Sequence, residues 1–272
     1  MARDHDGARG GDASPPCAER TADWCQFGHA KWASHSPDHS ERNFLAGPGS
    51  RLRDLGRVLR IAGEFVRGFR AFRGLPPTIT VFGSARFDES HRYYQMARTL
   101  GGRLASEGFA VMTGGGPGIM EDANRGATDA QGVSVGCNIV LPHEQKPNPY
   151  VQRWAEFRHF FVRKVMLLKH SVGFVALPGG FGTFDEVFET ATLIQTGKVY
   201  DFPIILMGRD YWDPMFGFLR DSPLAGGAID PLDLERLTLT DDVDAAVHCL
   251  RECAVRRFGQ TLPIGNTPGR EG

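Results

Sequence analysis

The sequence predicts an α/β protein: a Rossmann-like, doubly wound parallel sheet with helices on both faces, preceded by an N-terminal amphipathic helix. Three observations predict it. Short apolar runs alternate with helix-patterned stretches from residue 78 to residue 256. These runs are uniformly hydrophobic, the pattern of strands buried on both faces of a parallel sheet. Three of them end in glycine-rich turns, FGSAR (82–86), TGGGPGIME (113–121) and PGGFGTFDE (178–186). In such folds ligands bind at the carboxyl ends of the strands, and crossovers are right-handed.

Residues 1–45 are rich in Gly, Ser, Pro, Asp, His and Arg without periodicity. They read as a disordered tail whose removal leaves activity and assembly intact. Over 46–75, SRLRDLGRVLRIAGEFVRGFRAF places Leu52, Leu55, Leu59, Ala62, Val66 and Phe69 on one helical face, with arginines around the rest. A basic amphipathic helix can lie on a membrane. The favoured reading is packing on its own domain or on another subunit.

The Rossmann-like domain spans 76–258. TITVFG (78–83) is a strand, 90–107 a helix, FAVMTGG (109–115) a strand, GIMEDANRGATDA a helix and VSVGCNIVL (133–141) a strand. Residues 142–152 form a proline-broken loop. EFRHFFV (156–162) reads as a strand and RKVMLLKHS as a helix. VGFVALPG (172–179) is a strand, TFDEVFETATLIQTG a helix and FPIILMG (202–208) a strand. Helices follow near 211–220 and 241–256, and 259–272 form a flexible C-terminal tail.

The chain has 272 residues, a formal net charge of −1 and 41% hydrophobic residues, enough for a substantial core. That balance gives no support for nucleic-acid binding through bulk charge. Cys17, Cys25, Cys137, Cys249 and Cys253 form no CxxC pair and no disulfide framework. Cys249 and Cys253 stand at i, i+4, but no second Cys/His pair has ligand spacing, so no metal is expected and the thiols read as reduced. No apolar stretch is long enough to span a bilayer, and the N-terminus lacks a signal peptide's apolar core. A cytoplasmic protein is expected.

None of the glycine turns carries GxGxxG, and Gly197-Lys198 is followed by Val199, so the Walker pattern is absent too. No bound cofactor is expected. The turns nonetheless suit an anion. Backbone N–H groups and a helix N-terminus attract it, and Gly179, Gly180 and Gly182 let a phosphate approach closely, with the Thr183 hydroxyl beside them. Gly83, Ser84, Gly115 and Gly116 stand in the other two turns. A competing reading treats Thr183-Phe184-Asp185-Glu186 as a capping box, Thr183 capping and Glu186 returning to it. Glu121, Asp122 and Asn124 touch ribose hydroxyls or serve the start of a helix. Met120 and Phe160 or Phe161 line a base pocket or belong to the core.

PGGFGTFDE matches the PGGxGTxxE motif of the LOG family, the cytokinin riboside 5′-monophosphate phosphoribohydrolases, whose members were often labelled lysine decarboxylases in error. GGGPGIMEDANRGA resembles the family's other glycine motif. NIVLPHEQKPNPYV with FRHFFVRKVMLLKHS resembles its longer bacterial branch. The resemblance runs from about Thr78 to Arg256. It implies hydrolysis of the N-glycosidic bond of nucleoside 5′-monophosphates to free base and ribose 5-phosphate. It implies that Arg163, first of the family's RK pair, and Glu186 are catalytic. Lys164, Thr192 and the loop Gly180–Glu186, including Phe181, would then contact substrate. It also implies a homo-oligomer joined through helices beside the site.

The chemistry is coherent. Breaking a ribosyl C–N bond builds oxocarbenium character that a carboxylate stabilises while orienting water. Arg163 can pair with Glu186 or with the phosphate. The alternative is a non-catalytic nucleotide or cofactor binder of the same fold, which would not need both residues. A true lysine decarboxylase would need a pyridoxal phosphate lysine in a recognisable context, and none stands out.

Overall fold

A computed structural model describes residues 40–45, 47, 51–140 and 147–259. The elements in chain order are α1 (Ser40–Leu45), α2 (Arg51–Ala71), β1 (Thr78–Phe82), α3 (Arg92–Ser106), β2 (Ala110–Thr113), α4 (Ile119–Asp129), β3 (Ser134–Ile139) and β4 (Arg153–Phe157). They continue with α5 (Phe160–Lys169), β5 (Gly173–Ala176), α6 (Phe181–Gln195), β6 (Ile204–Met207), α7 (Arg209–Leu219), α8 (Pro231–Glu235), β7 (Leu237–Thr240) and α9 (Val243–Phe258). The seven strands are all parallel, in the order β4-β3-β2-β1-β5-β6-β7.

Strand side chains alternate between two cores. Met112, Phe174 and Leu206 face one layer, which Met166 of α5, Val187 of α6 and Trp212 of α7 cover. Ile79, Val111, Val175 and Ile205 face the other, under Leu100 of α3, Ala123 of α4 and Leu250 of α9. Burial on both faces explains the unbroken apolar runs. Helices α3 and α4 touch backbone to backbone. A Cβ on Gly126 would lie 2.0 Å from the Arg98 carbonyl oxygen.

Several expectations need correction. EFRHFFV is divided: Arg153–Phe157 is the strand and Phe160 already opens α5. Strand β7 and helix α8 add to the elements that the sequence predicts. β7 is a half-buried edge, LTLT, with no continuous apolar run to mark it. Residues 1–39, 46, 48–50, 141–146 and 260–272 lie outside the described residues, and with them most of both expected tails, the start of the 46–75 segment and part of the proline-broken loop. Ser40–Leu45, expected in the disordered tail, is helical, and its Glu41 accepts from the Phe160 N–H, so the whole of 1–45 is not a detached tail whose removal is silent.

Helix α2 does pack on its own domain, but through a different stripe from the expected one. Ile61 and Phe65 pack against the core, Phe72 just past the helix end is buried in it, and Gly68 lets Met166 approach. Leu52 and Leu59 remain 84% and 65% exposed, and Leu55, Val66 and Phe69 are exposed beside them. The helix carries two apolar stripes, and its own domain uses one. Among the described residues no helix is long and apolar enough to cross a membrane.

Candidate active site

From β1 the chain runs outward through β2, β3 and β4, then returns beside β1 as β5 and runs the other way. The crevice between the carboxyl ends of β1 and β5 is therefore the topological switch point. A cavity of about 720 Å³ opens there. Gly83–Phe87 after β1 form one wall, the Gly179–Phe184 turn after β5 the other, and Met120, Arg163 and Glu186 also line it.

The two walls are locked together. The Ser84 N–H donates to the Pro178 carbonyl at 3.0 Å, and the Ile119 N–H to the Ser84 carbonyl at 3.0 Å. A Cβ on Gly83 would lie 2.4 Å from Ile119 Cγ2, and one on Gly179 only 2.1 Å from Thr183 Oγ1. These two glycines serve close packing. At Gly180 and Gly182 a Cβ would meet nothing within 4 Å. Their backbone faces open space, as a phosphate cradle requires.

Helix α6 begins at Phe181, with Gly180 as N-cap, no side-chain cap and no acidic residue in its first turn. The helix thus presents the positive end of its dipole to the cavity without a competing anion. The Thr183 N–H donates to the Gly180 carbonyl at 2.9 Å, so Thr183 is already inside the helix. The capping box of the competing reading does not form, because the glycines let the helix start one turn earlier. Glu186 is left free for the cavity.

Glu186 is 4% exposed. Burial pushes its carboxyl up to about 7, against the opposing pull of Arg163 and, further off, Lys164. Arg163 Nη1 lies 3.9 Å from Glu186 Oε1, and its Nε donates to the Cys137 carbonyl at 3.0 Å. A Cβ on Gly114 would lie 2.7 Å from Arg163 Nη2, so the absence of a side chain there gives the guanidinium its room. A buried carboxyl titrating near neutrality beside a fixed guanidinium can stabilise cationic character or exchange a proton with water.

The structure thus gathers Gly83, Ser84, Met120, Arg163, Gly179, Gly180, Phe181, Gly182, Thr183 and Glu186 at one cavity. It does not bring the remaining sequence candidates there. Lys164 Nζ pairs with Asp185 at 3.0 Å and Glu189 at 2.8 Å, strapping α5 to α6. Thr192 is exposed and donates to the Phe188 carbonyl at 2.7 Å. The Gly115 and Gly116 carbonyls accept from Asn148, at 2.8 and 3.1 Å.

Asn124 accepts from the Thr113 hydroxyl at 2.6 Å and donates to Ser134 at 2.9 Å, anchoring the same loop. Glu121, Asp122, Phe160 and Phe161 do not line the cavity. Arg86, Phe87 and Tyr211 do, although they are not among the site residues that the sequence predicts. Arg86 and Phe87 lie in and next to the FGSAR turn. Tyr211, whose hydroxyl donates to the Gly179 carbonyl at 2.5 Å, comes from α7 and carries no local signal.

A family model described as "Possible lysine decarboxylase" matches residues 120–250. A cytokinin riboside 5′-monophosphate phosphoribohydrolase from Rhodococcoides fascians is 27% identical over 186 residues, covering 66% of this chain and 91% of the relative. A probable cytokinin riboside 5′-monophosphate phosphoribohydrolase from Oryza sativa subsp. japonica is 31% identical over 165 residues, covering 58% of this chain and 71% of the relative. Among solved structures, a molybdenum cofactor binding protein from Rippkaea orientalis shares the fold. Its TM-score is 0.50 at 22% identity, covering 65% of this chain and 96% of that one.

Proposed function

This chain belongs to the LOG family of cytokinin riboside 5′-monophosphate phosphoribohydrolases, and we propose that it hydrolyses the N-glycosidic bond of nucleoside 5′-monophosphates, AMP and cytokinin riboside 5′-monophosphates among them, to free base and ribose 5-phosphate. One observation carries the reading: the Glu186–Arg163 pair lies in the same cavity as an uncapped helix N-terminus flanked by open glycines. The phosphate sits on the α6 N-terminus, at Gly180 and Gly182, and its ribose then reaches Glu186.

Water adds to C1′ as the C1′–N bond breaks, and the bonding pair leaves on the base nitrogen. Glu186 in its ionised form stabilises the oxocarbenium character, takes the proton from the water and returns it to the departing base. Arg163 holds the carboxylate in place. A group titrating near 7 has both protonation states available for this exchange.

The exposed stripe of α2, Leu52, Leu55, Leu59, Val66 and Phe69, supports association with a second copy.

The test is base release, followed by chromatography, from AMP, isopentenyl-AMP and other nucleotides against the matching nucleosides. Release from monophosphates and not from nucleosides is expected. Equal turnover of adenosine and AMP sinks the phosphate cradle. Tight AMP binding without any base release supports a binder instead.

A further inference from the structure

Helix α5 carries Arg163 but lacks its own cap. His159, its N-cap residue, makes no side-chain capping bond, and the first turn contains no acidic residue. The N–H groups at the entry to the helix, those of Arg158, His159 and Phe160, are bonded from far away in sequence. Glu64 of α2, 1% exposed, accepts through Oε2 from the Arg158 N–H at 3.1 Å and the His159 N–H at 3.4 Å. Its Oε1 lies 2.9 Å from His159 Nδ1, an imidazole buried equally deeply. Glu41 of α1 accepts from the Phe160 N–H at 3.0 Å.

A second contact fixes the same helix pair further along. Gly68 of α2 sits where a Cβ would be 2.7 Å from Met166 Sδ. Arg163 lies between these two points, about one turn from each, and its own N–H donates to the His159 carbonyl at 3.2 Å. The axial position and rotation of α5 at Arg163 are therefore set by α1 and α2.

We propose that Glu64, assisted by Glu41, is a positioning residue for Arg163: two carboxylates from the segment preceding the nucleotide-binding domain cap α5 and hold the guanidinium at its place beside Glu186. Carboxylates at a helix N-terminus satisfy orphan N–H groups and complement the dipole. A burial this complete for Glu64 serves no surface purpose, and its three bonds all end on Arg158 and His159, the two residues that lead into α5. The inference rests on the phosphoribohydrolase reading for its kinetic part. Its structural part stands without it.

The full-length chain and its Glu64→Ala, Glu41→Ala and Glu64→Gln variants are compared by amide hydrogen exchange, nucleotide affinity and steady-state base release. Glu64→Ala accelerates exchange over residues 158–163 while amides of β1 and β2 keep their protection. The value of kcat falls roughly tenfold to a hundredfold, the range a displacement of about 1 Å produces, while AMP affinity changes less than about threefold. Glu64→Gln keeps one acceptor oxygen and recovers part of kcat. In an Arg163→Ala background, Glu64→Ala costs nothing further, an outcome that general loosening of the fold does not produce. If Glu64→Ala yields no folded chain, Glu64→Gln and Glu41→Ala carry the same comparison with smaller effects in the same direction. Unchanged exchange over 158–163, or an equal loss of turnover with and without Arg163, overturns the proposal. A wild-type chain that releases no base from any nucleotide overturns the hydrolase reading instead, and exchange alone then decides the cap.

Discussion

Replacing Glu186 with Gln separates the carboxylate's chemistry from its contribution to the fold, because the amide has the shape of the protonated acid. In the folded chain the carboxyl is raised from its ordinary 4.5 to about 7, chiefly by burial. Native protein therefore holds the proton more tightly than unfolded chain does, and stability falls as pH rises from 4.5 to 7 and is level above it. At 1.36 kcal/mol per pH unit the ionised carboxylate costs about 3 kcal/mol above pH 7. Glu186→Gln lacks that loss. It is expected to be more stable than wild type by up to about 3 kcal/mol at pH 8 and nearly equal to it at pH 4.5. With roughly 2–4 °C per kcal/mol for a domain of this size, Tm rises by roughly 6–12 °C at the higher pH. Turnover moves the other way, falling about a hundredfold or more as the charge facing the oxocarbenium disappears. Thermal unfolding between pH 4.5 and 8 and base release from AMP on the same preparations read both effects. A variant within threefold of wild-type turnover, or one less stable at every pH, refutes the reasoning and returns Glu186 to a structural role.

Arg163→Ala is expected to lose roughly a hundredfold in turnover while keeping AMP affinity, because the cradle still holds the phosphate. Arg163→Lys rescues it poorly, since a point charge cannot bond the Cys137 carbonyl through Nε while reaching toward Glu186. Calorimetry and chromatography on matched preparations check both, and a variant that binds and cleaves normally makes Arg163 a bystander. The two kinds of loop glycine separate cleanly. Gly179→Ala drives a Cβ to 2.1 Å from Thr183 Oγ1 and costs roughly 1–3 kcal/mol of stability by thermal unfolding. Gly182→Ala enters open space, leaves stability unchanged or slightly raised, and weakens AMP roughly tenfold by obstructing the anion. Light scattering at micromolar concentration is expected to find at least a dimer, and the double substitution Leu55→Glu with Leu59→Glu is expected to reduce it. A wild-type monomer contradicts the pairing of α2.

Some of this site was legible in residue order and some was not, and helical geometry separates the two. The glycine turns and the apolar strands state the sheet and its ligand edge directly, because backbone clearance and two-sided burial each demand particular residue types. The T-x-x-E spacing at Thr183–Glu186 does not state where α6 begins. Residues three apart share a face whether the first is a cap or already inside the helix. The choice is made by Gly180, whose open surroundings allow an earlier start, and by Gly179, which must admit the Thr183 side chain.

The same arithmetic bears on the two candidates carried over by resemblance that lie outside the cavity. Residues on a helix advance about 100° each, so Lys164 points about 100° away from Arg163, onto Asp185 and Glu189. Thr192, six positions after Glu186, is rotated about 240° from it, whereas Thr183 and Thr190 share its buried face. Motif spacing carries these residues together, and helix periodicity takes them apart. Glu64 and His159 had no such signal. Their bond spans 95 positions and becomes visible only once α2 lies along α5 by the stripe that its own domain uses. That stripe is interrupted by an acidic residue, Glu64, which in sequence reads as a solvated charge. A glutamate set among Ile61, Phe65 and Gly68 on an inward face requires a partner, and the partner is the turn that positions Arg163.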